Sequence, residues 1–428
     1  MDKIIDIDAL EILDSRGFPT IRTTVFLDSG IIGVAMVPSG ASTGEREAFE
    51  LRDNDKKRYH GKGVLKAVGN VKQKIAPALK GIEVHKQNYI DQLMIALDGT
   101  PNKKNLGANA ILSVSLAVAH ASANANKTAL FKNLYKGSGS FFLPVPLMNV
   151  INGGQHANNN IDFQEFMIVP HGASCFSESI RYGAEVFQKL KLLIEKMGMS
   201  SAVGDEGGFA PNLDSNEQAL SLILDSIESA GYTPGKDISI ALDVASSEFY
   251  KDGFYHLDSE GLKLNSEEMC QFLSEMVKNY PIVSIEDGMD QNDWTGWQKL
   301  TSLLGNHTQL VGDDLFVTNV EFLQKGISEK SANSILIKVN QIGTLSETLS
   351  AIELAKANNF EVVVSHRSGE TEDNTISDLA CSSAVTQIKA GSMSRSDRLS
   401  KYNRLLVIEH MLGENSVFSG SRIFKNET

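Results

Sequence analysis

Along the second half of the chain, short apolar runs recur, and each closes on a polar or charged residue before a helix-like stretch begins. Ile238-Ser239-Ile240-Ala241-Leu242 ends at Asp243, Ile282-Val283-Ser284-Ile285 at Glu286, and Leu310-Val311-Gly312 at Asp313. Ile335-Leu336-Ile337 then ends at Lys338, Val362-Val363-Val364-Ser365 at His366, and Gln387-Ile388 at Lys389. Successive closing residues lie 23 to 43 positions apart. That interval suits repeated βα units, each strand followed by its helix. Parallel barrels bury their strands on both faces, so the strands read as unbroken apolar runs, and function gathers at their C-terminal ends. The pattern predicts an α/β barrel with its chemistry on one rim.

The first half reads differently. Residues 1 to about 60 are strands and loops, and Ile21–Leu27 and Ile31–Val37 flank the turn Asp28-Ser29-Gly30, which predicts a hairpin. Val64–Leu79 and Asn109–Ala125 carry apolar residues at three- and four-residue intervals and predict helices. Lys136-Gly137-Ser138-Gly139-Ser140 is a short Gly/Ser joint, which places a boundary between domains 1–137 and 138–428. A joint this short implies that the two domains pack together. No internal repeat or low-complexity tract interrupts the pattern.

With 428 residues, the chain is long enough for two domains. Its net charge of −13 argues against direct nucleic-acid binding, which needs a basic surface. An anionic substrate then requires a local cluster of cations or a metal. The three cysteines, Cys175, Cys270 and Cys381, are scattered and fit a reducing compartment. The first residues are acidic where a signal peptide would be basic, and the apolar stretch Ala110–Ala121 is too short to span a bilayer. A soluble, cytoplasmic protein without membrane insertion is expected.

Asp243, Glu286 and Asp313 close three successive strands and would converge on one rim. Three carboxylates without thiols suit a hard divalent cation, most naturally Mg²⁺; the competing reading is that each acid caps the helix after it. Lys338 lies in a strand-like run where an unpaired ammonium is costly, and burial with nearby cations would lower its pKa toward that of a usable base. Lys389 has a weaker local case. The small, polar segment 38–45 (PSGASTGE) reads as a closing lid, and no Gly-Lys-Ser/Thr follows to make it a Walker loop. Val203–Phe209 sets two acids beside paired glycines, while 365–371 (SHRSGET) puts an arginine and hydroxyls at a strand end, as phosphate would need. His156 by itself reads as structural.

Taken together, eleven segments in register resemble the enolase family, most closely its bacterial members. They are DSRG (14–17), PSGASTGE (38–45), GANAILSVSLA (107–117), QEFMI (164–168), VGDEGGFAPN (203–212), LDVASSEF (242–249), SIEDG (284–288), VGDDLFVTN (311–319), KVNQIGT (338–344), SHRSGETED (365–373) and IKAGSMSRSDR (388–398). The resemblance implies an eight-stranded α/β (TIM-like) barrel, opened by an atypical antiparallel strand, behind a smaller α+β N-terminal domain. It implies reversible dehydration of 2-phosphoglycerate to phosphoenolpyruvate, in glycolysis and gluconeogenesis, with two Mg²⁺ per active site. By the same resemblance Lys338 is the general base and Glu206 the acid. Asp243, Glu286 and Asp313 hold one Mg²⁺, and Ser42 of the lid ligates the second. Arg367 and Ser368 bind phosphate, Lys389 binds the substrate carboxylate, and Gln164, Glu165, His156 and His366 line the site. Homodimers, or octamers in some bacteria, are implied, as are additional cell-surface or secreted roles in plasminogen binding and association with RNA-degradation machinery. Acid-sugar dehydratases of the same superfamily are the nearest rival, but they lack the lid and the SHRSGETED segment. Phe18, Gln155, Asn158 and Ala390 depart from the family pattern, none of them at an assigned catalytic or metal position.

Overall fold

A computed structural model describes residues 2–41, 44–135, 137, 139–420 and 423–424. The N-terminal part begins with an antiparallel sheet in the order β1 (Ile4–Leu13), β2 (Pro19–Leu27), β3 (Ile32–Met36). The predicted hairpin is β2–β3, and Gly30 takes the left-handed conformation that its turn requires (φ +83°). Strand β1, which the sequence reading left unassigned, adds to its free edge. The predicted helix at 64–79 forms as α1 (Leu65–Asn70) and α2 (Ala76–Leu79), joined by a π-helical stretch over Val71–Ile75. Pro77 explains the widening, since its ring crowds the carbonyl one turn back and it has no N–H to donate. Helix α3 (Gln87–Asp98) was not anticipated; α4 (Ala108–Ala125) was, and it is buried along nearly its whole length against the sheet. Helix α5 (Leu130–Leu134) ends the domain.

The larger part is a closed barrel of eight strands, surrounded by helices. Strands β4 (Phe141–Leu143) and β5 (Val145–Asn152) lead into β6 (Glu165–Val169), then helices α6 (Phe176–Lys196) and α7 (Asn216–Ser229) precede β7 (Ser239–Asp243). A small antiparallel sheet, β8 (Tyr250–Lys251), β9 (Phe254–Leu257) and β10 (Leu262–Leu264), comes next. The regular alternation follows: α8 (Ser266–Asn279), β11 (Ile282–Glu286), α9 (Trp294–Leu304), β12 (Gln309–Gly312), α10 (Val320–Glu329), β13 (Ser334–Ile337), α11 (Val339–Ile342), α12 (Leu345–Ala357). It finishes with β14 (Glu361–Ser365), α13 (Thr375–Ser382), β15 (Gln387–Lys389) and α14 (Ser396–Leu412), and β16 (Ser416–Phe418) pairs with β4. The barrel runs β5-β6-β7-β11-β12-β13-β14-β15 and closes by β15 pairing with β5. Only β6 is antiparallel to its neighbours, which is the early departure from βα alternation that the resemblance implied. Because β6 runs backwards, its first residue, and not its last, lies on the functional rim.

The N-terminal domain is pinned to the barrel by buried polar contacts at the start of α12. Asp91 of α3 is wholly buried and accepts from Ser346 N (3.0 Å) and Ser346 Oγ (2.6 Å), a carboxylate at a helix N-terminus. Lys103 pairs with Glu347 at 2.9 Å, and Leu345 N donates to Ser115 Oγ at 3.0 Å. Asp91→Ala is expected to lower the unfolding free energy by about 2 kcal/mol, the worth of hydrogen bonds to a charged group. Urea titration checks this, and an unchanged midpoint would contradict it.

Candidate active site

The residues closing the barrel strands meet on one rim. Glu286 and Asp243 are direct partners in the β11–β7 register, and Glu286 pairs with Val311, two residues before Asp313. All three acids are buried. None of them caps a helix: α8, α9 and α10 are capped by the side chains of Asn265, Asp293 and Asn319. Glu165, at the start of β6, pairs with Asp243 and so joins the same rim, with Gln164 beside it.

Two lysines meet this negative charge. Lys389 is buried, with Nζ 2.8 Å from Asp243 Oδ2, 2.8 Å from Glu286 Oε2 and 3.2 Å from Glu165 Oε1. Its weak local signal therefore concealed a central position. Lys338 Nζ is ion-paired with Asp313 Oδ2, whose other oxygen accepts from Gln341 Nε2 at 2.8 Å. The expected lowering of the Lys338 pKa is not met: burial, the largest influence, pushes it down with help from Arg367 and Lys389, but the Asp313 and Glu286 carboxylates together hold it above the ordinary range. Burial, with Asp243 alongside, pushes Glu286 well above the usual carboxylate range.

The acid loop lies across the barrel from Lys338, beside β5. Paired glycines serve close approach here: Gly207 has φ +87°, and a Cβ on it would lie 2.7 Å from Ser394 O. The Glu206 carboxylate accepts from Asn149 Nδ2 at 3.2 Å, with His366 Nε2 at 3.2 Å and His156 Nδ1 at 3.7 Å. His156 also stands 3.5 Å from Glu165, so the histidine that reads as structural in isolation lies in the site. Burial drives Glu165 well above the usual range, and the charge on Glu206 adds to it. Glu206 is pulled the other way: against burial, His156 and His366 draw it down. That pull requires charged imidazoles, yet burial pushes His366 down to about 3 and lowers His156 as well. With neutral rings that part of the pull weakens, while the His366 contact and the Arg398 guanidinium still favour the Glu206 carboxylate, so of the two acids it is Glu165 that burial raises.

The phosphate-type segment follows β14. Arg367 is buried, donating to Glu47 Oε2 (2.9 Å) and Oε1 (3.1 Å) and to Asn340 Oδ1 (3.1 Å). Ser368 Oγ accepts from Ala41 N at 3.2 Å, and Ser39 and Gly369 exchange backbone hydrogen bonds of 2.8 and 2.9 Å. The root of the lid thus rests on this loop, beside a cavity of about 280 Å³ lined by Pro38, Gly44, Glu47 and Asn340. Ser42 lies outside the described residues. Glu47, Asn149, Asn340 and Gln341 were not singled out from the sequence. Glu47 carried the plainest missed signal, an acid just past the lid in an otherwise mobile-looking stretch.

Among the described residues, candidate ligand atoms come within 4.8 Å of one another in two groups, His156–Glu165–Glu206 and Asp287–Asp313–Asp314. The expected trio is not one of them, since Lys389 Nζ stands between Asp243 and Glu286. Asp287 already accepts from Asp313 N and Asp314 N (3.0 and 2.9 Å) and organises the strand end. The trio still fits a hard cation: its donors are all oxygen, buried and carried on adjacent strands, and Gln164 Oε1 and Glu165 Oε2 beside it are buried without hydrogen-bond partners.

Residues 4–134 match the family model described as the enolase N-terminal domain, and residues 140–427 match the enolase C-terminal TIM barrel domain. The chain belongs to the enolase family. The two matches flank the Gly/Ser joint, of which Lys136 and Ser138 lie outside the described residues. Enolase-family membership supports lyase chemistry and suggests Mg²⁺. The departures from the family pattern fall at none of the expected catalytic or metal positions. Gln155 and Asn158 are exposed, and Phe18 is half-buried with Lys62 Nζ 3.8 Å above its ring. Ala390 is buried next to Lys389. Among the described residues, no helix is long and apolar enough to cross a membrane.

Proposed function

We propose that this chain reversibly dehydrates 2-phosphoglycerate to phosphoenolpyruvate, as a cytoplasmic enzyme with its domain boundary at 137/138. One observation carries the reading: a single cleft is lined by Lys338 and Glu206 from opposite sides of the barrel, with Arg367, Ser368 and Lys389 between them.

Lys338 takes the C2 proton, and Glu206 gives a proton to the C3 hydroxyl as it leaves as water. A proton beside a carboxylate is weakly acidic because its loss adds negative charge to an existing anion, so positive charge must meet that carboxylate. Lys389 supplies part of it. Arg367 and Ser368 hold the phosphate, and closure of the lid over them excludes water. Asp243, Glu286 and Asp313 would hold one Mg²⁺, and Ser42 would reach a second as the lid closes. Bound there, cations would supply positive charge at the substrate carboxylate. The acidic chain thereby accommodates an anionic substrate locally.

A substrate panel tests the reading against the superfamily rival. Phosphoenolpyruvate should appear by ultraviolet absorbance from 2-phosphoglycerate, with no turnover of unphosphorylated sugar acids. Turnover of sugar acids with 2-phosphoglycerate ignored would sink it.

A further inference from the structure

Arg398, in the first turn of α14, is completely buried, yet it takes no part in the chemistry proposed above. Its guanidinium lies where two segments of the site converge. Nη1 hydrogen-bonds Arg367 O and the Nδ1 of His366; Nη2 hydrogen-bonds Ser368 O and, at 3.1 Å, Asp205 O. One side chain therefore ties the acid loop to the phosphate loop. The Asp397 carboxylate stands 2.9 Å from Nε. Space for this arm is reserved by Gly391, where a Cβ would lie 2.7 Å from Arg398 Cδ and where φ is +82°.

The contact with His366 has a chemical consequence. Arginine has five N–H donors and no acceptor, and it stays charged in proteins. The nitrogen it meets must accept, so Nδ1 carries no proton. A neutral ring then bears its proton on Nε2, the nitrogen 3.2 Å from Glu206 Oε2, though without the alignment of a full hydrogen bond. We infer that Arg398 is a positioning residue that locks His366 as the neutral Nε2–H tautomer and thereby presents a fixed donor to Glu206. The opposite tautomer would set a lone pair against the carboxylate, and would leave a buried N–H facing the guanidinium. A second cation from the same helix, Lys401, braces the loop without touching the ring, donating to Glu370 Oε2 (2.9 Å) and Thr371 O (2.7 Å).

The kinetic consequence rests on Glu206 being the acid; the tautomer itself does not. The test is a long-range ¹H–¹⁵N spectrum of the full chain labelled at its histidine rings, with the His366 signals assigned by their loss in His366→Gln. The expected result at pH 7 is an unprotonated Nδ1 and a protonated Nε2. A proton on Nδ1, or a doubly protonated ring, would overturn the inference, because a guanidinium cannot donate to either. In folded Arg398→Met the ring should lose this single form, and dehydration should fall at least tenfold while C2 proton exchange persists. An unchanged tautomer with unchanged dehydration would also overturn it. Should Arg398→Met not fold, the wild-type spectrum decides alone. A wild-type chain that ignores 2-phosphoglycerate would refute the proposed reaction and leave that spectrum intact.

Discussion

Lys338→Ala stops exchange of the C2 proton of 2-phosphoglycerate with solvent and lowers turnover by roughly 10²- to 10⁴-fold, the range a general base supplies. The lysine follows β13 directly, and its partly buried ammonium is held by Asp313, so its position is set by the barrel and not by a loop. Loss of the side chain leaves the carboxylates, Lys389 and Arg367 in place, so substrate should still bind. Exchange is followed by NMR in deuterated solvent. Exchange that survives in a folded Lys338→Ala would show that another group takes the proton.

The fold was legible in the sequence where burial left no choice. Most parallel strands are buried on both faces and read as largely apolar runs, although β15 is only Gln387-Ile388-Lys389, and the residues closing the runs mark the rim; Asp243, Glu286, Asp313, Lys338, His366 and Lys389 all fall there. Strand β1 was harder to see, with Ile5, Leu10 and Leu13 exposed and its apolar positions not cleanly alternating. Strand β6 carries no mark of its direction in its residues; the resemblance implied it and composition did not. The metal trio could be placed but not its present partners, because the bridging by Lys389 arises from across the barrel. The same holds for the raised pKa of Lys338, which depends on two carboxylates, Asp313 and Glu286, brought in from other strands. Arg398 was hidden for a further reason. A charged residue in the first turn of a helix ordinarily faces solvent, and only the packing of α14 under the two loops buries it.

The second large effect separates the acid from the base. Glu206→Gln should lower dehydration by roughly 10²- to 10⁴-fold, yet leave measurable C2 exchange, since Lys338 lies across the barrel and is untouched. Glutamine keeps the shape and can still meet Asn149 and His366, which argues against a folding defect. Exchange and dehydration measured on one preparation check the assignment. Loss of exchange with Glu206→Gln, and its retention with Lys338→Ala, would mean that the two roles are reversed.

The central claim is a divalent-cation-dependent dehydration carried out at this rim. The measurement that tests it most directly is phosphoenolpyruvate formation from 2-phosphoglycerate, followed by absorbance in Mg²⁺ and again with excess EDTA. Activity that disappears with EDTA and returns with added Mg²⁺ is the predicted result. Full activity in EDTA, or none in Mg²⁺ from folded protein, would contradict the account.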